Sequence, residues 1–129
     1  MKKGRTVQEA KRYEIYSCAP DTTLSQAAAR MAAEDISALV VLEADGRLAG
    51  VLSRIDLVRA YLATDDWAAH PVARHMTREV YTVAVTDQLN DVAHLLLNHH
   101  IHRVVVLKDE RPVSVISATD LVYYMVNEA

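Results

Sequence analysis

The stretch Gly50-Val51-Leu52-Ser53-Arg54-Ile55-Asp56 returns near the end of the chain as Ser114-Val115-Ile116-Ser117-Ala118-Thr119-Asp120. Each copy has the pattern of an apolar strand that runs directly into a helix, with serine at the N-cap and aspartate on the first turn. The simplest interpretation is a helix cap with a carboxylate near the positive end of the helix dipole. A second interpretation is a site for a sugar and a phosphate, because a helix N-terminus attracts anions and a fixed carboxylate accepts hydrogen bonds from ribose hydroxyls. The occurrence of this motif in two copies favours the second interpretation.

The two copies belong to a repeat that covers nearly the whole chain. Residues 7–42 align with residues 72–107 without a gap, and the two Ser-x-x-Asp stretches align once one residue is omitted from the turn before them. A gain or loss of one residue is tolerated best in a turn. We therefore expect two similar halves, about residues 7–62 and 72–126.

Both halves contain the same predicted elements at their start. A leading segment, residues 7–12 or 72–77, is followed by a short extended run, residues 15–18 or 80–83. Each run then leads into an amphipathic helix with an apolar stripe. The stripes consist of Leu24, Ala27, Ala28 and Met31 in the first half, and of Leu89, Val92, Ala93 and Leu96 in the second.

The start of each of these helices carries its own signal. Thr23-Leu24-Ser25-Gln26 has the pattern of a capping box, in which the threonine and glutamine side chains each accept a hydrogen bond from the other residue's backbone N–H. Asp87 is the predicted N-cap of the equivalent helix in the second half.

A strand pair follows each helix. Residues 38–42 and 48–52 flank Asp45-Gly46, a strong signal for a hairpin turn. Residues 103–107 and 113–116 flank a turn without glycine, so its type stays open.

Each half closes with a second helix, residues 55–63 or 119–127, in which apolar residues occupy more than one face. Leu121 to Val126 is apolar around most of the circumference. Such a surplus is typical of contact with another subunit, so we expect a homodimer through the closing helices.

Composition limits the function classes. The chain has 129 residues, enough for one compact domain or two small halves with a shared core, and a formal net charge of −3, which argues against nucleic acid as a partner. No secretory signal follows the basic start, and no apolar run is long enough to span a membrane. The single cysteine, Cys18, excludes an intrachain disulfide. These observations favour a cytoplasmic protein that contacts no membrane.

The repeat also predicts the division of the chain. We expect a first repeat with its leading segment at residues 1–63, a linker at residues 64–71 and a second repeat at residues 72–129. Asp65-Asp66 and Pro71 interrupt regular structure in the linker.

These features together resemble a tandem pair of CBS domains, the regulatory module named after cystathionine β-synthase. The resemblance covers the whole chain and depends on the order of several short motifs. They are the hairpin with Gly50 to Asp56, its copy at Ser114 to Asp120, His75-Met76-Thr77 before Val80 to Val83, Asp21-Thr22-Thr23-Leu24, and Ile101 to Val106. The resemblance implies an α/β fold of two pseudo-symmetric repeats, each β-α-β-β-α, packed sheet to sheet in one module.

The resemblance also implies a ligand that contains adenosine, bound between the repeats. AMP, ADP and ATP are the expected ligands, with S-adenosylmethionine or NAD as further possibilities. In this family, Ser and Asp of one repeat meet ribose and phosphate, and the extended run and strand start of the other repeat meet the base. One implied site combines Ser53 and Asp56 with Tyr81, Thr82, Val83, Ile101, His102 and Arg103. The other combines Ile116, Ser117 and Asp120 with Tyr16, Ser17, Cys18, Ser37 and Ala38.

The chain departs from the family pattern in three places. Gly50 is replaced by Ser114 in the second copy, which would crowd a ligand there. His102-Arg103 has no equivalent in the first repeat, and Lys11 stands where Met76 stands in the second. We therefore expect unequal sites, with one good site.

Two other function classes stay open. A ligand-free scaffold would use the same fold only for dimerisation. A metal site could be built from the histidines, although no cysteine or carboxylate has ligand spacing to them. These histidines are His94, His99, His100 and His102. No nucleophile–base arrangement and no glycine-rich phosphate loop is recognisable, so we expect a non-catalytic sensor that controls an unidentified protein.

Overall fold

The computed structural model describes residues 4–10 and 14–128. Met1 to Lys3, Ala129 and the end of the first leading segment, Lys11 to Tyr13, lie outside the described residues, so the comparison of Lys11 with Met76 cannot be drawn. The α-helices and strands, in chain order, are α1 Val7–Ala10, β1 Ser17–Cys18, α2 Leu24–Glu34, β2 Ala38–Leu42, β3 Leu48–Ser53, α3 Arg54–Ala63, β4 Thr82–Ala84, α4 Leu89–His99, β5 Arg103–Lys108, β6 Arg111–Ser117 and α5 Ala118–Glu128. Short 3-10 helices lie between α3 and β4, at Trp67–Ala69 and Val72–Arg74.

The predicted mixed α/β fold is confirmed. The strands form two sheets of the same design, with orders β1-β2-β3 and β4-β5-β6. In each sheet the short first strand is parallel to the second, and the second and third form an antiparallel hairpin. The register shifts between Val41 and Leu42 in one sheet and between Val106 and Leu107 in the other, so the irregularity is repeated too.

The predicted N-cap of α2 is confirmed, whereas that of α4 is wrong by one residue. Thr23 caps α2 in a complete capping box with Gln26. Helix α4 has Gln88 at its N-cap, where the Asp91 carboxylate accepts from the Gln88 N–H at 3.0 Å. Asp87 instead accepts from the Ala84 N–H at 2.8 Å, because the turn after β4 uses its side chain.

The two hairpin turns differ in the residues that adopt a left-handed backbone. Gly46 has φ of +87° in the first turn, as the Asp-Gly signal predicts. In the second turn Asp109 and Glu110 have φ of +51° and +65°. Two consecutive residues at positive φ are typical of a type I′ turn, which glycine and asparagine favour over glutamate. Because neither residue is glycine or asparagine, the sequence does not indicate this turn type.

The described residues group into two compact units that do not follow the repeat boundaries. One unit, here the first-repeat unit, is Tyr16–Val80. The other, the second-repeat unit, contains the described residues of Met1–Ile15 and Tyr81–Ala129. Each leading segment therefore packs with the helix and sheet of the other repeat.

The hydrogen bonds that dock the two leading segments are equivalent. In the second-repeat unit, the Val7 N–H donates to the Asp87 carbonyl at 2.8 Å and the Leu89 N–H donates to the Arg5 carbonyl at 2.9 Å. Two equivalent bonds occur in the first-repeat unit, at positions related by the sequence repeat.

In the first-repeat unit, the Val72 N–H donates to the Thr22 carbonyl at 2.7 Å and the Leu24 N–H donates to the His70 carbonyl at 2.9 Å. These bonds satisfy backbone groups at the start of α2 that have no partner inside the helix. The leading segments thus hydrogen-bond to the starts of α2 and α4, and their buried valines, Val7 and Val72, pack in the cores.

Each unit has its own apolar core. The second-repeat core consists of Val7, Val83, Val85, Leu89, Val92, Leu96, Val104, Val106, Ile116, Leu121 and Tyr124. The first-repeat core consists of Leu24, Ala27, Met31, Leu39, Val41, Leu52, Ala60, Val72 and Met76. The helix stripes predicted from sequence supply the buried residues of α2 and α4. No helix among the described residues combines the length and the apolar character that crossing a membrane requires.

The exchange of leading segments can be tested with Val7, which is fully buried in the core of the other repeat. We expect Val7→Ala to lower the free energy of unfolding by about 2 kcal/mol, because it leaves a cavity there. Urea denaturation of the full chain measures this. Leu97→Ala is the control, since Leu97 is exposed on α4 and its truncation should change stability by less than about 0.5 kcal/mol. Equal effects of the two variants would contradict the exchange.

Candidate functional site

The start of α3 holds a buried carboxylate, that of Asp56. Ser53 ends β3 and is the N-cap of α3, and its hydroxyl accepts from the Asp56 N–H at 3.2 Å. The Asp56 Oδ2 atom accepts from the Ser53 N–H at 2.9 Å and from the Ser53 hydroxyl at 3.1 Å. The capping interpretation is therefore correct for this copy, and it fixes the orientation of the carboxylate.

Asp56 is only 6% exposed, so its carboxylate needs further partners. The Thr77 hydroxyl lies 3.3 Å from both carboxylate oxygens, and an Arg59 guanidinium nitrogen lies 3.8 Å from Oδ1. Nothing in the sequence pattern predicted the contact with Thr77, because the residues are far apart in the chain. His75-Met76-Thr77 stood out only as a family motif.

Thr77 reaches Asp56 because its backbone pairs with β3. The N–H groups of Val51 and Thr77 each donate to the carbonyl of the other at 2.9 Å. A Cβ atom on Gly50 would lie 2.7 Å from the Thr77 carbonyl oxygen and 2.9 Å from the Met76 sulfur. Glycine is therefore required at position 50 by the close approach of Met76 and Thr77. Its counterpart Ser114 is fully buried, and its hydrogen-bonding capacity is also used.

Two of the other residues predicted in the first-repeat unit lie beside Ser53. Ala38 is the register partner of Ser53, and the Arg54 N–H donates to the Ser37 carbonyl at 3.0 Å. The short strand β1 lies on the other side of β2, where the Val40 N–H donates to the Tyr16 carbonyl at 2.9 Å. The structure thus brings together one strand edge and one acidic helix start within the same repeat.

Cys18, the last residue of β1, is half-buried. Burial raises the pKa of its thiol, and the nearby Arg30 guanidinium opposes this only in part. Arg30 also donates to the Ser17 carbonyl. A raised pKa disfavours the thiolate, so Cys18 has the character of a packing residue and not of a nucleophile.

The second-repeat unit repeats the acidic helix start. The Asp120 Oδ2 atom accepts from the Ser117 N–H at 2.8 Å and from its hydroxyl at 3.1 Å, while the Asp120 N–H donates to that hydroxyl at 3.2 Å. Arg103 is the register partner of Ser117, and the Ala118 N–H donates to the His102 carbonyl at 2.9 Å. The side chain of Asp120 is less buried than that of Asp56.

The remaining predicted residues of this unit have different surroundings. Val83 and Ile116 are buried in the apolar core, so any contact that they make with a ligand uses their backbone. Ile101 is half-buried against the same core, and Thr82 is exposed on β4. Tyr81 stacks on His99, with ring centroids 4.2 Å apart and planes at 26°.

The histidines that suggested a metal site include two with identified surroundings. The His99 ring stacks on Tyr81, and His100 caps the C-terminus of α4 with a left-handed backbone. Within residues 4–10 and 14–128, no group of three or more histidine, cysteine or carboxylate side chains is arranged to hold a metal ion.

A different pair of histidines, which the sequence did not single out, forms a network in the first-repeat unit. The rings of His70 and His75 stack with centroids 5.1 Å apart, and His70 Nδ1 lies 2.8 Å from His75 Nε2. His70 Nε2 lies 3.0 Å from Asp66 Oδ1. Their spacing in the chain gave no helical or strand periodicity that could have predicted the contact.

Comparison with known proteins agrees with this architecture. The sequence model of the CBS domain matches residues 7–63 and 72–127, which is most of the chain. The chain belongs to the CBS domain family. The two matches coincide with the sequence repeats, so this protein is a CBS pair.

Two curated relatives match part of their own length to this chain. The chain is 26% identical over 109 residues to an uncharacterised 17.7 kDa protein of Acidianus ambivalens, covering 84% of this chain and 65% of that protein. It is 36% identical over 78 residues to the transcriptional repressor CcpN of Bacillus subtilis, covering 59% of this chain and 37% of the repressor. The chain therefore spans about two thirds or less of the length of these relatives.

Solved structures show the same fold. The CBS domain pair of protein MJ0100, in complex with 5′-methylthioadenosine and S-adenosyl-L-methionine, superposes with a TM-score of 0.86. The alignment has 19% identity and covers 96% of this chain and 98% of that one. At this identity the likeness establishes the fold.

The requirement for glycine at position 50 gives a test of the contact between β3 and Thr77. We expect Gly50→Ala to cost about 1–3 kcal/mol of stability, because the new methyl group meets a backbone carbonyl that cannot rotate away. Hydrogen exchange resolves the location of the damage. Val51 and Thr77 amides should lose protection, and the amide of Val105 in the second-repeat unit should keep it. Unchanged protection at Val51 and Thr77 would show that the segment does not pair with β3.

Proposed function

We propose that this CBS pair is a non-catalytic regulatory module that binds an adenosine-containing ligand, AMP, ADP or ATP, between its repeats. The observation that carries the proposal is the buried, pre-oriented carboxylate of Asp56 at the start of α3, repeated by Asp120 at the start of α5. Ligand binding would favour one conformation or assembly of the module, and a regulated protein would recognise that state.

The carboxylate of Asp56 has the capacity for a ribose hydroxyl. Each carboxylate oxygen can accept more than one hydrogen bond. Oδ2 holds the two short bonds from Ser53, whereas Oδ1 has only the long contact with Thr77 and the weak pair with Arg59. Because Ser53 already fixes the side chain, a ligand would not have to order it.

The surroundings supply complementary groups for the rest of a nucleotide. Arg54 carries an exposed positive charge at the start of α3, held loosely by Asp35 at 3.6 Å. The helix N-terminus adds partial positive charge for a phosphate. We assign the better site to Ser53 and Asp56 together with Tyr81, Thr82, Val83, Ile101, His102 and Arg103, since only the second repeat has the His-Arg pair.

The weaker site combines Ile116, Ser117 and Asp120 with Tyr16, Ser17, Cys18, Ser37 and Ala38. The MJ0100 complex supports the adenosyl class, because its two ligands both contain adenosine and its CBS pair has this fold. S-adenosylmethionine and NAD are therefore included among the ligands to be tested. The raised pKa of Cys18 supports a non-catalytic role.

A ligand-free scaffold is the second candidate, and one observation favours it. Asp56 already accepts hydrogen bonds from Ser53 and Thr77, so the capping box is satisfied without a ligand. The metal-binding alternative has no such support among the described residues.

Thermal unfolding with AMP, ADP, ATP, S-adenosylmethionine, NADH or zinc distinguishes these candidates. A ligand at about one hundred times its Kd stabilises the folded state by about 2.7 kcal/mol, which raises the Tm by several degrees. We expect such a rise with at least one adenine nucleotide. Asp56→Asn should remove the part of the rise that comes from the better site, and Asp120→Asn the smaller remainder.

Asp91→Asn is the matched control for both variants. Asp91 is also a first-turn aspartate that accepts from its N-cap residue, but no ligand contact is assigned to it. Asp91→Asn should lower the Tm measured without ligand and leave the ligand-dependent rise in Tm intact. No rise with any adenosyl compound would favour the scaffold, and a rise with zinc alone would favour a metal site.

We also assign the closing helices to a homodimer, and the module to the cytoplasm without nucleic acid or membrane as partners. Both closing helices carry large apolar side chains that are more than half exposed. They are Ile55, Val58, Tyr61 and Leu62 on α3, and Val122, Tyr123, Met125 and Val126 on α5. The surfaces are helical and similar in both repeats, which suits a second copy of the chain.

Charge substitution tests the dimer. Leu62 is 78% exposed and Val126 is 71% exposed, so the double variant Leu62→Lys, Val126→Lys should fold normally and sediment with the mass of one chain. The wild type should sediment with twice that mass. Leu97→Lys is the control, because Leu97 is 74% exposed on α4, outside the closing helices, and should leave the dimer unchanged. A monomeric wild type would exclude this assembly.

A further inference from the structure

His70 and His75 form a compact pair in the first-repeat unit. His70 is only 7% exposed, and the two rings are parallel within 6°. Their facing nitrogens, His70 Nδ1 and His75 Nε2, lie 2.8 Å apart, which is a hydrogen-bond distance. One nitrogen must carry the proton and the other must accept it.

The carboxylate of Asp66 fixes the arrangement of protons. His70 Nε2 lies 3.0 Å from Asp66 Oδ1, and a carboxylate oxygen only accepts, so this nitrogen carries a hydrogen. In neutral His70, Nδ1 is then an acceptor, and His75 Nε2–H donates to it. A first added proton can be held on either ring with this bond intact. A second proton places an N–H on both facing nitrogens, and the bond must break.

The charged groups around the pair determine how readily each ring is protonated. Asp66 faces His70, and Arg74 lies 3.5 Å from His70 Nε2. Burial, followed by the positive charges of His70 and Arg74, lowers the pKa of His75, and Asp56 opposes this effect. Asp56 is itself paired with Arg59 at 3.8 Å. The surroundings therefore accommodate one positive charge near Asp66 and disfavour a second at His75.

The segment from His70 to Thr77 connects the pair to the acidic start of α3. His70 accepts from the Leu24 N–H through its carbonyl, and Met76 is buried in the core of this unit. Thr77 then pairs with Val51 and donates to Asp56. Separation of the rings would loosen a segment that holds one of the partners of the Asp56 carboxylate.

We propose that His70 and His75 act as a proton-sensitive pair that fastens the segment carrying Thr77 against β3 and Asp56. Above the ordinary histidine pKa the pair is bonded and the segment is held. As the pH falls below that value, the opened segment takes up two protons whereas the closed pair holds one, so opening becomes easier. This inference concerns the chain without ligand and does not depend on the proposed nucleotide.

Hydrogen exchange of the ligand-free protein at pH 7.5 and 5.5 tests the pair, after correction for the intrinsic pH dependence of exchange. The open segment takes up its extra proton at the ordinary histidine pKa, about one pH unit above 5.5, so protection of the Val51 and Thr77 amides should fall about tenfold. The amide of Val105 in the second-repeat unit should not share this fall. His75→Gln keeps an N–H that can donate to His70 but cannot titrate, and it should abolish the fall.

His100→Gln is the matched control, because His100 is exposed and lies in the other unit. It should retain the tenfold fall. An NMR titration of the wild-type imidazoles provides a measurement without substitution, and we expect His75 to take up its proton below the ordinary histidine pKa. Protonation of His75 at the ordinary histidine pKa, or an unchanged fall in His75→Gln, would overturn the proposal.

Discussion

The buried carboxylate of Asp56 is the interaction on which the first-repeat unit depends. It joins the end of β3, the first turn of α3 and the segment that carries Thr77. A carboxylate with so little exposure is tolerated because charged hydrogen bonds and a helix N-terminus offset its lost hydration. The same residues that stabilise the helix start therefore also hold an acidic group in a defined orientation.

Capping and ligand binding are compatible roles for this aspartate. Capping uses mainly Oδ2, whereas a ribose hydroxyl needs one accepting position on either oxygen. The duplication gives Asp120 the same capping geometry with a less buried side chain. We therefore interpret the two helix starts as chemically related but unequal, in agreement with the His-Arg pair that only one repeat carries.

Much of the local structure could be predicted because it depends on neighbouring residues. The capping boxes of Thr23 and Ser53 and the turn at Gly46 follow from short-range hydrogen bonds and backbone preferences. The N-cap of α4 was predicted one residue early, because Asp87 competes with Gln88 and is used by the preceding turn. Local rules rank such candidates but do not choose between adjacent ones.

Contacts between distant parts of the chain could not be predicted in this way. The repeat indicated where the leading segments are, but not that Val7 completes the core of the other repeat. The sequence suggests that a side chain at the position of Gly50 would crowd a ligand, whereas the atoms that a Cβ there would meet belong to Thr77 and Met76. The pairing of His70 with His75 depends on a turn between them that has no periodic signal. Residue roles at the candidate site depend on these contacts.

Backbone NMR during a titration with AMP is the most direct test of the proposal that the two acidic helix starts bind an adenosine-containing ligand. We expect saturable shifts concentrated at the amides of Ser53 to Asp56, with weaker shifts at Ser117 to Asp120. Amides at the start of α4, where Asp91 caps a helix without an assigned ligand, should not shift. Absence of shifts at both acidic helix starts at millimolar AMP, ADP and ATP would contradict it.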